Sequence, residues 1–410
     1  MSRDACPICR GLDATPILTA SDQPILLNHL LPTGDAARSV PRATLDFRGC
    51  NACGFVWNAA FDPSAIRYGP GYVNDQSGSA IFREHLASVE RRCAELVTGI
   101  PGSLVEIGCG QGHFLASLCR TTGRSGIGFD PALEKPSAPG HEPALYRAAF
   151  DVDTAASLAQ PVALIYSRHV LEHLPDPSTM LASIADVLDR SPRGAALLEV
   201  PTFDWIARHG AFFDLFNEHC SLFSPHAMRR ALRDRGLHDC SVESAFGGQY
   251  LIATARRGER QDAPRAAPET HAAIDFHEAR ARLGAERDAW RDWFEERCGS
   301  GPVFLWGAGA KGVSLVCHLE LDCDRVPAIV DVNPAKQGLH APVHGQPIIA
   351  PAELCERVAA ADGDATVLIM NPNYEREIAH TLAELGCACR VEVARERTSR
   401  PGSRPLEVHR

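Results

Sequence analysis

The sequence predicts an α/β protein in which two Rossmann-like nucleotide folds follow a small metal-binding module. An apolar strand, a glycine-rich turn and a helix occur in that order at residues 103–115 and again at 302–313, which predicts the two nucleotide folds. Two C-x-x-C pairs near the N-terminus predict the metal-binding module. A chain of 410 residues is too long for one ordinary core, which favours two or three domains.

Composition narrows the class of protein. Hydrophobic residues make up 45% and charged residues 22% of the chain, as in globular proteins. A net charge of −10 with only three lysines (Lys135, Lys311 and Lys336) argues against a nucleic-acid partner, because nucleic-acid phosphates bind to clusters of positive charge. Without a signal-peptide pattern or a run of about 18 apolar residues, we expect a cytoplasmic protein with no membrane partner.

The two C-x-x-C pairs predict a structural Zn²⁺ site with four thiolate ligands, and four thiolates leave no position for water or substrate. The predicted ligands are Cys6, Cys9, Cys50 and Cys53. Gly11 and Gly54 follow the two pairs, where a tight turn favours a residue that tolerates positive φ. The alternative is two unrelated pairs of reduced cysteines, since most of the 15 cysteines of such a chain are expected to be reduced.

The first glycine turn follows the strand at residues 104–107 and leads into a helix that begins near His113. Its glycines are Gly108, Gly110 and Gly112, and they let backbone amides approach a ligand closely. A G-x-G-x-G pattern by itself does not separate a dinucleotide site from a methyl-donor site. Three further features favour the methyl donor.

Glu106 lies inside the strand just before the turn, and a second strand at 125–129 ends in Asp130, which could accept both hydroxyls of a ribose. A later strand at 162–167 is followed by His-Val-Leu-Glu-His at 169–173. Together these motifs resemble class I methyltransferases, which implies S-adenosylmethionine (SAM) as cofactor. An oxidoreductase at this site is the alternative. The cofactor-binding residues implied are Glu106, Gly108, Cys109, Gly110, Gly112, Asp130, Pro131, Asp151 and His169, with Asp151 near the adenine amino group.

Glu218 and His219 lie among phenylalanines in the segment that follows the strand at 195–200. Aromatic walls exclude water, so His219 could act as a base near neutral pH. The alternative is that Glu218 caps the next helix and His219 is a buried, hydrogen-bonded histidine.

This segment and the domain order resemble the sugar C-methyltransferase family, which acts on nucleotide-activated 4-keto deoxysugars. The family signature Y-H-E-H followed by F-S-Y-F-S aligns with residues 216–224, where the matches are Glu218, His219, Ser221, Phe223 and Ser224. Departures occur at Phe216, Asn217, Cys220 and Leu222, and Phe216 replaces a tyrosine that helps to hold the sugar in the family. The family's N-V-L-A-H aligns with 169–173, and its upstream tyrosines align with Tyr68 and Tyr72, ahead of Gln76 and Ser77.

The resemblance implies a mechanism and a set of catalytic residues. His219 would take the C3 proton of the 4-keto sugar, Glu218 would orient His219 or polarise the keto oxygen with His173, and the enolate would attack the methyl group. The catalytic residues implied are His219, Glu218, His173 and Tyr72. Two alternatives stay open: O-, N- or C-methylation of another natural-product intermediate, and a non-catalytic protein that binds a nucleotide sugar or NAD.

The second glycine turn comprises Gly307, Gly309 and Gly312, and a strand at 326–330 ends in Asp331. This is the dinucleotide fingerprint and would suggest NAD, whereas the family resemblance implies a pocket for the nucleotide of the substrate or a purely structural role. Lys311 could contact a diphosphate, or it could be a surface lysine. A long helix is expected over 269–297.

We therefore predict five segments and one class of ligand. They are a zinc-binding module at 1–75, a SAM-binding domain at 76–257, a linker and long helix at 258–300, a Rossmann-like substrate-binding domain at 301–395 and a tail at 396–410. The expected partner is a small-molecule substrate, such as a nucleotide sugar, that binds between the second and fourth of these segments. The expected assembly is a monomer or homodimer.

Overall fold

The computed structural model describes residues 4–67, 72, 78–138, 140–158, 161–258, 274–361, 363–398 and 406–407. Expectations for Tyr68, Gln76 and Ser77 and for the linker beyond residue 258 lie outside the described residues. The helices are α1 (Gly34–Arg38), α2 (Ala80–Leu96), α3 (His113–Thr122), α4 (Val152–Ser157), α5 (Pro177–Asp189), α6 (Phe203–His209), α7 (Pro225–Arg233), α8 (Phe276–Cys298), α9 (Ala310–Leu319), α10 (Pro351–Ala359) and α11 (Glu375–Glu384).

The strands form three sheets. They are β1 (Ala14–Pro24), β2 (Arg42–Cys50), β3 (Val56–Asn58), β4 (Ser103–Ile107), β5 (Gly126–Phe129), β6 (Ala144–Tyr146), β7 (Val162–Arg168), β8 (Ala195–Pro201), β9 (Ser221–Leu222), β10 (Asp239–Ala245), β11 (Tyr250–Arg256), β12 (Val303–Trp306), β13 (Ile329–Val330), β14 (Ile348–Ile349), β15 (Thr366–Ile369), β16 (Arg390–Val393) and β17 (Leu406–Glu407).

The central sheet has the order β10-β11-β8-β7-β4-β5-β6. Strands β4 to β8 are parallel, and β11 pairs antiparallel with β8. The chain runs outward from β4 to β6 and then returns to place β7 on the other side of β4. Ligands bind at such a reversal, beyond the carboxyl ends of the strands. This α/β arrangement is the class I methyltransferase fold that the sequence predicts.

The N-terminal sheet has the order β1-β2-β3-β9, so its last strand comes from far along the chain. Val56 pairs with Leu222 and Trp57 with Ser221 in antiparallel register. The strand β9 directly follows Glu218 and His219. The N-terminal sheet is therefore continuous with the segment that carries the predicted catalytic pair, and it is not confined to residues 1–75.

The C-terminal sheet has the order β14-β13-β12-β15-β16-β17, and all of its pairings are parallel except that of β16 with β17. The predicted strand at 326–330 is shorter than expected, because only Ile329 and Val330 pair with β12. The long helix begins at Phe276, where the Asp275 carboxylate accepts hydrogen bonds from the first free amides.

One hydrophobic core joins the three parts of the chain. It contains Phe47 of β2, Phe212 of the segment after β8, Leu283 of α8 and Val313 of α9, all of them nearly inaccessible to solvent. Trp290, Trp293 and Phe294 of α8 are buried there, whereas Ile274 lies just before the helix and is only partly buried. The N-terminal and C-terminal parts are thus packed against the same segment, the one that follows β8.

Among the described residues, no helix is both long and apolar enough to span a bilayer.

Candidate active site

The first glycine turn has the conformation that its sequence predicts. Gly108, Gly110 and Gly112 have φ of 74°, 53° and 80°, and α3 begins at the next residue. A β-carbon on Gly108 would lie 2.2 Å from the Val170 side chain, and one on Gly112 would lie 2.6 Å from Leu145. Glycine is therefore required both for the backbone angle and for the space.

Asp130 lies at the end of β5, half-buried beside this turn. Its Oδ2 accepts a hydrogen bond from the Gly110 amide at 2.8 Å, and its Oδ1 accepts one from the Ala132 amide at 2.7 Å. Each carboxylate oxygen retains a second lone pair that could accept a ribose hydroxyl. Cys109 is buried within the turn, and Pro131 is exposed next to Asp130.

Glu106 is only 3% exposed, and this burial raises the pKa of its carboxyl group to about 7 against the opposing positive charge of Arg168. Arg168 donates a hydrogen bond to Glu199 Oε2 at 2.7 Å, and His85 contacts the other oxygen of Glu199. Burial alone would raise the pKa of Glu199, but the hydrogen bond from His85 and the nearby charges lower it to about 2.

Sequence reasoning missed this buried network of His85, Glu199 and Arg168. The available signal was a charged residue in each of two neighbouring apolar strands, β7 and β8.

Asp151 is exposed at the start of α4, where it forms a capping box with Thr154. Its Oδ1 accepts the Thr154 amide at 2.9 Å, and these hydrogen bonds lower the pKa of its carboxyl group. Phe150 is half-buried, with its ring 5.7 Å from that of Phe129. An adenine contact for Asp151 stays a prediction, and one of its oxygens is already used by the helix.

Glu218 is held on both sides by residues of the N-terminal part of the chain. It is 1% exposed; its Oε2 accepts the Leu27 amide at 2.6 Å, and its Oε1 accepts the Tyr72 hydroxyl at 2.8 Å. Burial raises the pKa of its carboxyl group. Glu218 does not cap the next helix, because the N-cap of α7 is Ser224, which accepts the Ala227 amide.

His219 is partly buried between two rings. The Phe216 ring lies 4.1 Å from it, and the His173 ring lies 5.0 Å away at an interplanar angle of 80°. Burial lowers the pKa of His219 well below its usual value, and the positive charges that His173 and His169 can carry lower it further. The imidazole is therefore neutral at physiological pH, which is the protonation state that a general base needs.

His169, in the same turn as His173, has an unusual backbone, with a φ of 54°. Its Nδ1 is 3.2 Å from Glu172 Oε1, and its ring packs edge-on against Tyr250 at 4.6 Å. The turn after β7 thus brings His169, Glu172 and His173 to the carboxyl edge of the central sheet.

Lys311 of the second glycine turn forms an ion pair with Asp214 in the segment after β8, and its ammonium lies 4.6 Å from the Trp205 ring centroid. Burial raises the pKa of Asp214, although the charge of Lys311 opposes this effect. Lys311 is therefore not a free surface lysine, and its contact with a diphosphate stays a prediction. This ion pair joins the C-terminal domain to the segment after β8.

The acid of the second glycine turn has a cation beside it. Asp331 and Lys336 are both buried, with Lys336 Nζ 3.3 Å from Asp331 Oδ2 and 3.0 Å from the Ala308 carbonyl oxygen. Asp331 Oδ2 also accepts the Ala308 amide at 3.0 Å. The carboxylate that would bind the ribose of NAD is thus neutralised from within the protein.

The four cysteine sulfurs of the N-terminal module lie within 4.8 Å of one another, with Cys6 and Cys53 3.5 Å apart and Cys9 and Cys50 also 3.5 Å apart. A tetrahedral zinc–thiolate site has sulfurs about 3.8 Å apart, so the four side chains fit Zn²⁺. Gly54 has the expected positive φ of 73°, but in the first pair Arg10 takes this conformation, at 62°, and not Gly11. A β-carbon on Gly11 would lie 3.3 Å from the Cys9 sulfur, so Gly11 provides space.

Two family models match separate stretches of the chain. Residues 81–242 match the family model described as a methyltransferase domain, and residues 275–388 match the C-methyltransferase C-terminal domain. No curated protein sequence matches the chain.

Among solved structures, magnesium protoporphyrin IX methyltransferase from Synechocystis with bound SAM is 20% identical, over 46% of this chain and 87% of that protein, with a TM-score of 0.32. A SAM-dependent methyltransferase from Archaeoglobus fulgidus is 18% identical, over 42% and 93%, with a TM-score of 0.34. Likenesses of this size carry no information about the substrate.

The matched domains, the class I sheet and the glycine turn define this protein as a SAM-dependent methyltransferase. It also carries the C-terminal domain of C-methyltransferases.

Proposed function

We propose that the enzyme transfers the SAM methyl group to a carbon next to the ketone of a nucleotide-activated 4-keto deoxysugar. The main support is the arrangement around Glu218, in which the Leu27 amide and the Tyr72 hydroxyl hold the acid beside His219 and His173. The match of residues 275–388 to a C-methyltransferase domain supports carbon as the methylated atom. SAM itself would lie at the first glycine turn, against Glu106 and Asp130.

His219 would act as the base. Its neutral imidazole takes a proton from the carbon, and the electrons of the C–H bond pass into the enolate. SAM held at the first glycine turn would supply the methyl group to the enolate carbon, and it would be released as S-adenosylhomocysteine (SAH) with the electrons of the broken carbon–sulfur bond on sulfur. The low pKa of His219 keeps its lone pair available for the first step.

The keto oxygen would be stabilised by Tyr72 and His173. In the structure the Tyr72 hydroxyl donates its hydrogen to Glu218 Oε1 at 2.8 Å, and this hydrogen would turn from Glu218 to the enolate oxygen when the substrate binds. Glu218 is then a positioning residue that acts through Tyr72. Phe216 excludes water from one face of His219.

Zn²⁺ held by the four cysteines would have a structural role. The cysteines flank the sheet whose last strand follows His219, and Leu27 of the same module contacts Glu218. Metal binding would thus stabilise the wall of the active site, and it would supply no chemistry to the methyl transfer.

A second candidate is methylation of another small natural-product intermediate, at carbon, oxygen or nitrogen. The observation that favours it is Phe216, whose ring packs on His219 where the sugar-modifying family has a phenol. With that hydroxyl absent, one contact to a sugar is lost.

Isotope-labelled SAM with a panel of nucleotide-linked 4-keto sugars tests the proposal. We expect a new C-methyl signal in the NMR spectrum of the product, and in D₂O with SAH we expect wild-type enzyme to exchange the proton next to the ketone. His219→Ala should lose at least about 1,000-fold in both activities while SAH affinity stays within twofold. Phe216→Tyr serves as the matched control and should retain turnover. A methyl group on oxygen or nitrogen would favour the second candidate.

A further inference from the structure

Two histidines, one of them the proposed base His219, lie close to a buried carboxylate. A nitrogen of His173, a nitrogen of His219 and a carboxylate oxygen of Glu172 all lie within 4.8 Å of one another. Glu172 and His173 are neighbours in the turn after β7, whereas His219 comes from the segment after β8. The fold therefore assembles the group from two separate parts of the chain.

The Glu172 carboxylate has a property that indicates a ligand. The residue is 0% exposed, its Oε1 is 3.2 Å from His169 Nδ1, and its Oε2 has no hydrogen-bond partner among the described residues. A buried carboxylate oxygen without a partner is costly, and a cation beside it removes most of that cost.

The geometry points to a binding site for one divalent transition metal, such as Zn²⁺ or Co²⁺, held by Glu172, His173 and His219. Two imidazoles and one carboxylate are a common ligand set for these ions and leave at least one coordination position open. Ligand atoms around tetrahedral zinc are about 3.3 Å apart, and modest rotation of the two rings would bring them that close.

Metal at this site would inhibit the proposed reaction. A neutral imidazole has one nitrogen lone pair, and coordination uses the pair that the base needs. This consequence for turnover rests on the proposed role of His219. The binding of the metal does not, because it depends only on the three ligands.

Co²⁺ titration of the full-length protein, with Zn²⁺ already bound at the four cysteines, tests the binding. We expect one equivalent of Co²⁺ to produce weak visible bands of nitrogen and oxygen ligation, without the near-ultraviolet band of thiolate ligation. Glu172→Gln and His219→Ala should each weaken the affinity at least about tenfold, with SAH binding as the check on folding. His380→Ala is the matched control, because His380 forms an exposed pair with Glu384 on α11 and its removal should change nothing.

If folded wild-type protein gives no such band, or if both ligand variants keep it, the site does not exist. With a working substrate, saturating Zn²⁺ should lower wild-type turnover at least about tenfold, and a chelator should restore it. Undiminished turnover with the metal bound would overturn the inhibitory role. If no substrate is found, the proposed function fails, but the spectroscopic test of the metal site keeps its meaning.

Discussion

The two glycine turns of this protein have nearly the same sequence pattern, but the acids that follow them have different contacts. After the first turn, Asp130 is half-buried, and its two oxygens contact only backbone amides among the described residues. After the second, Asp331 is buried and pairs with Lys336, whose ammonium also binds the Ala308 carbonyl oxygen. The first acid can still accept hydroxyls from a ligand, whereas the second is neutralised by a residue five positions further along.

This comparison shows what the glycine pattern determines and what it does not. In both turns the glycines allow a tight bend and close packing, since a β-carbon on Gly312 would lie 2.2 Å from the Gly307 carbonyl oxygen. Whether a nucleotide binds depends on the charge beside the acid. We therefore expect the first turn to bind SAM and the second to be structural.

Replacement of the two acids should have very unequal effects, and this is the largest effect that we expect. Asp130→Ala should weaken SAH binding about 100-fold, because two hydrogen bonds from ribose hydroxyls to a charged acceptor are lost. Asp331→Asn, which removes the charge of the corresponding acid in the second turn, should leave the SAH affinity within about twofold. Isothermal titration calorimetry measures both, and equal losses would show that the two turns do not differ.

Removal of the cation at the second turn should destabilise the protein. Lys336→Met leaves the buried Asp331 carboxylate without its partner, which we expect to cost about 3 kcal/mol of unfolding free energy. The double variant with Asp331→Asn should recover more than half of that loss, since no charge is left buried. Urea denaturation followed by tryptophan fluorescence measures these changes. If Lys336→Met keeps wild-type stability, Lys336 is not the group that neutralises the Asp331 carboxylate.

Glu106, the buried acid of β4 just before the first turn, should make the stability of the protein depend on pH. Because burial raises the pKa of Glu106 from 4.5 to about 7, the folded state keeps this proton longer than the unfolded state does. Stability is therefore lost as pH rises from 4.5 through 7, and the full penalty of about 3 kcal/mol is present above pH 7. Glu106→Gln should remove it, so the variant without SAM should be more stable than wild type at pH 8 and similar to it at pH 4.5.

Glu199→Gln is the internal control for this prediction. The pKa of Glu199 is lowered to about 2, so its charge stabilises the fold above pH 4.5, and its removal should destabilise the protein at pH 8. Thermal unfolding at the two pH values checks both signs. If the unfolding temperature of both variants shifted in the same direction at pH 8, the opposite pKa shifts of Glu106 and Glu199 would be contradicted.

Asp151 should give the smallest effect. Because one of its oxygens caps α4, Asp151→Ala should cost about 1 kcal/mol of stability. At most one hydrogen bond to adenine would be lost with it, so SAH affinity should fall by no more than about tenfold. Asp153→Ala, in the same first turn of α4, is the control. A loss as large as that of Asp130→Ala would mean that Asp151 is a main cofactor ligand.

Local features of the fold could be predicted from the sequence, but contacts between distant segments could not. The strand and glycine turn at 103–112 were predicted because hydrophobic runs and glycines act over a few residues. The contact between Leu27 and Glu218 was not, because a backbone amide has no signature in the sequence and 191 positions separate the two residues.

Other parts of the site were missed for related reasons. The Lys336 pair that closes the second turn depends on how the chain after β13 folds back, which the fingerprint does not encode. In the first C-x-x-C pair the positive φ falls on Arg10 and not on Gly11, whose missing side chain leaves room for the Cys9 sulfur. In the sequence Glu172 is one residue of the His-Val-Leu-Glu-His motif, and its proximity to His219 depends on the three-dimensional fold.

The most direct test of the account is the stoichiometry of nucleotide binding to the zinc-replete protein. Calorimetric titration with SAH, and separately with NAD, compares the two glycine turns in a single preparation. We predict one SAH per chain and no heat with NAD. Failure to bind SAH would contradict the assignment of the cofactor to the first turn, and binding of NAD that Asp331→Asn abolishes would contradict the structural role of the second.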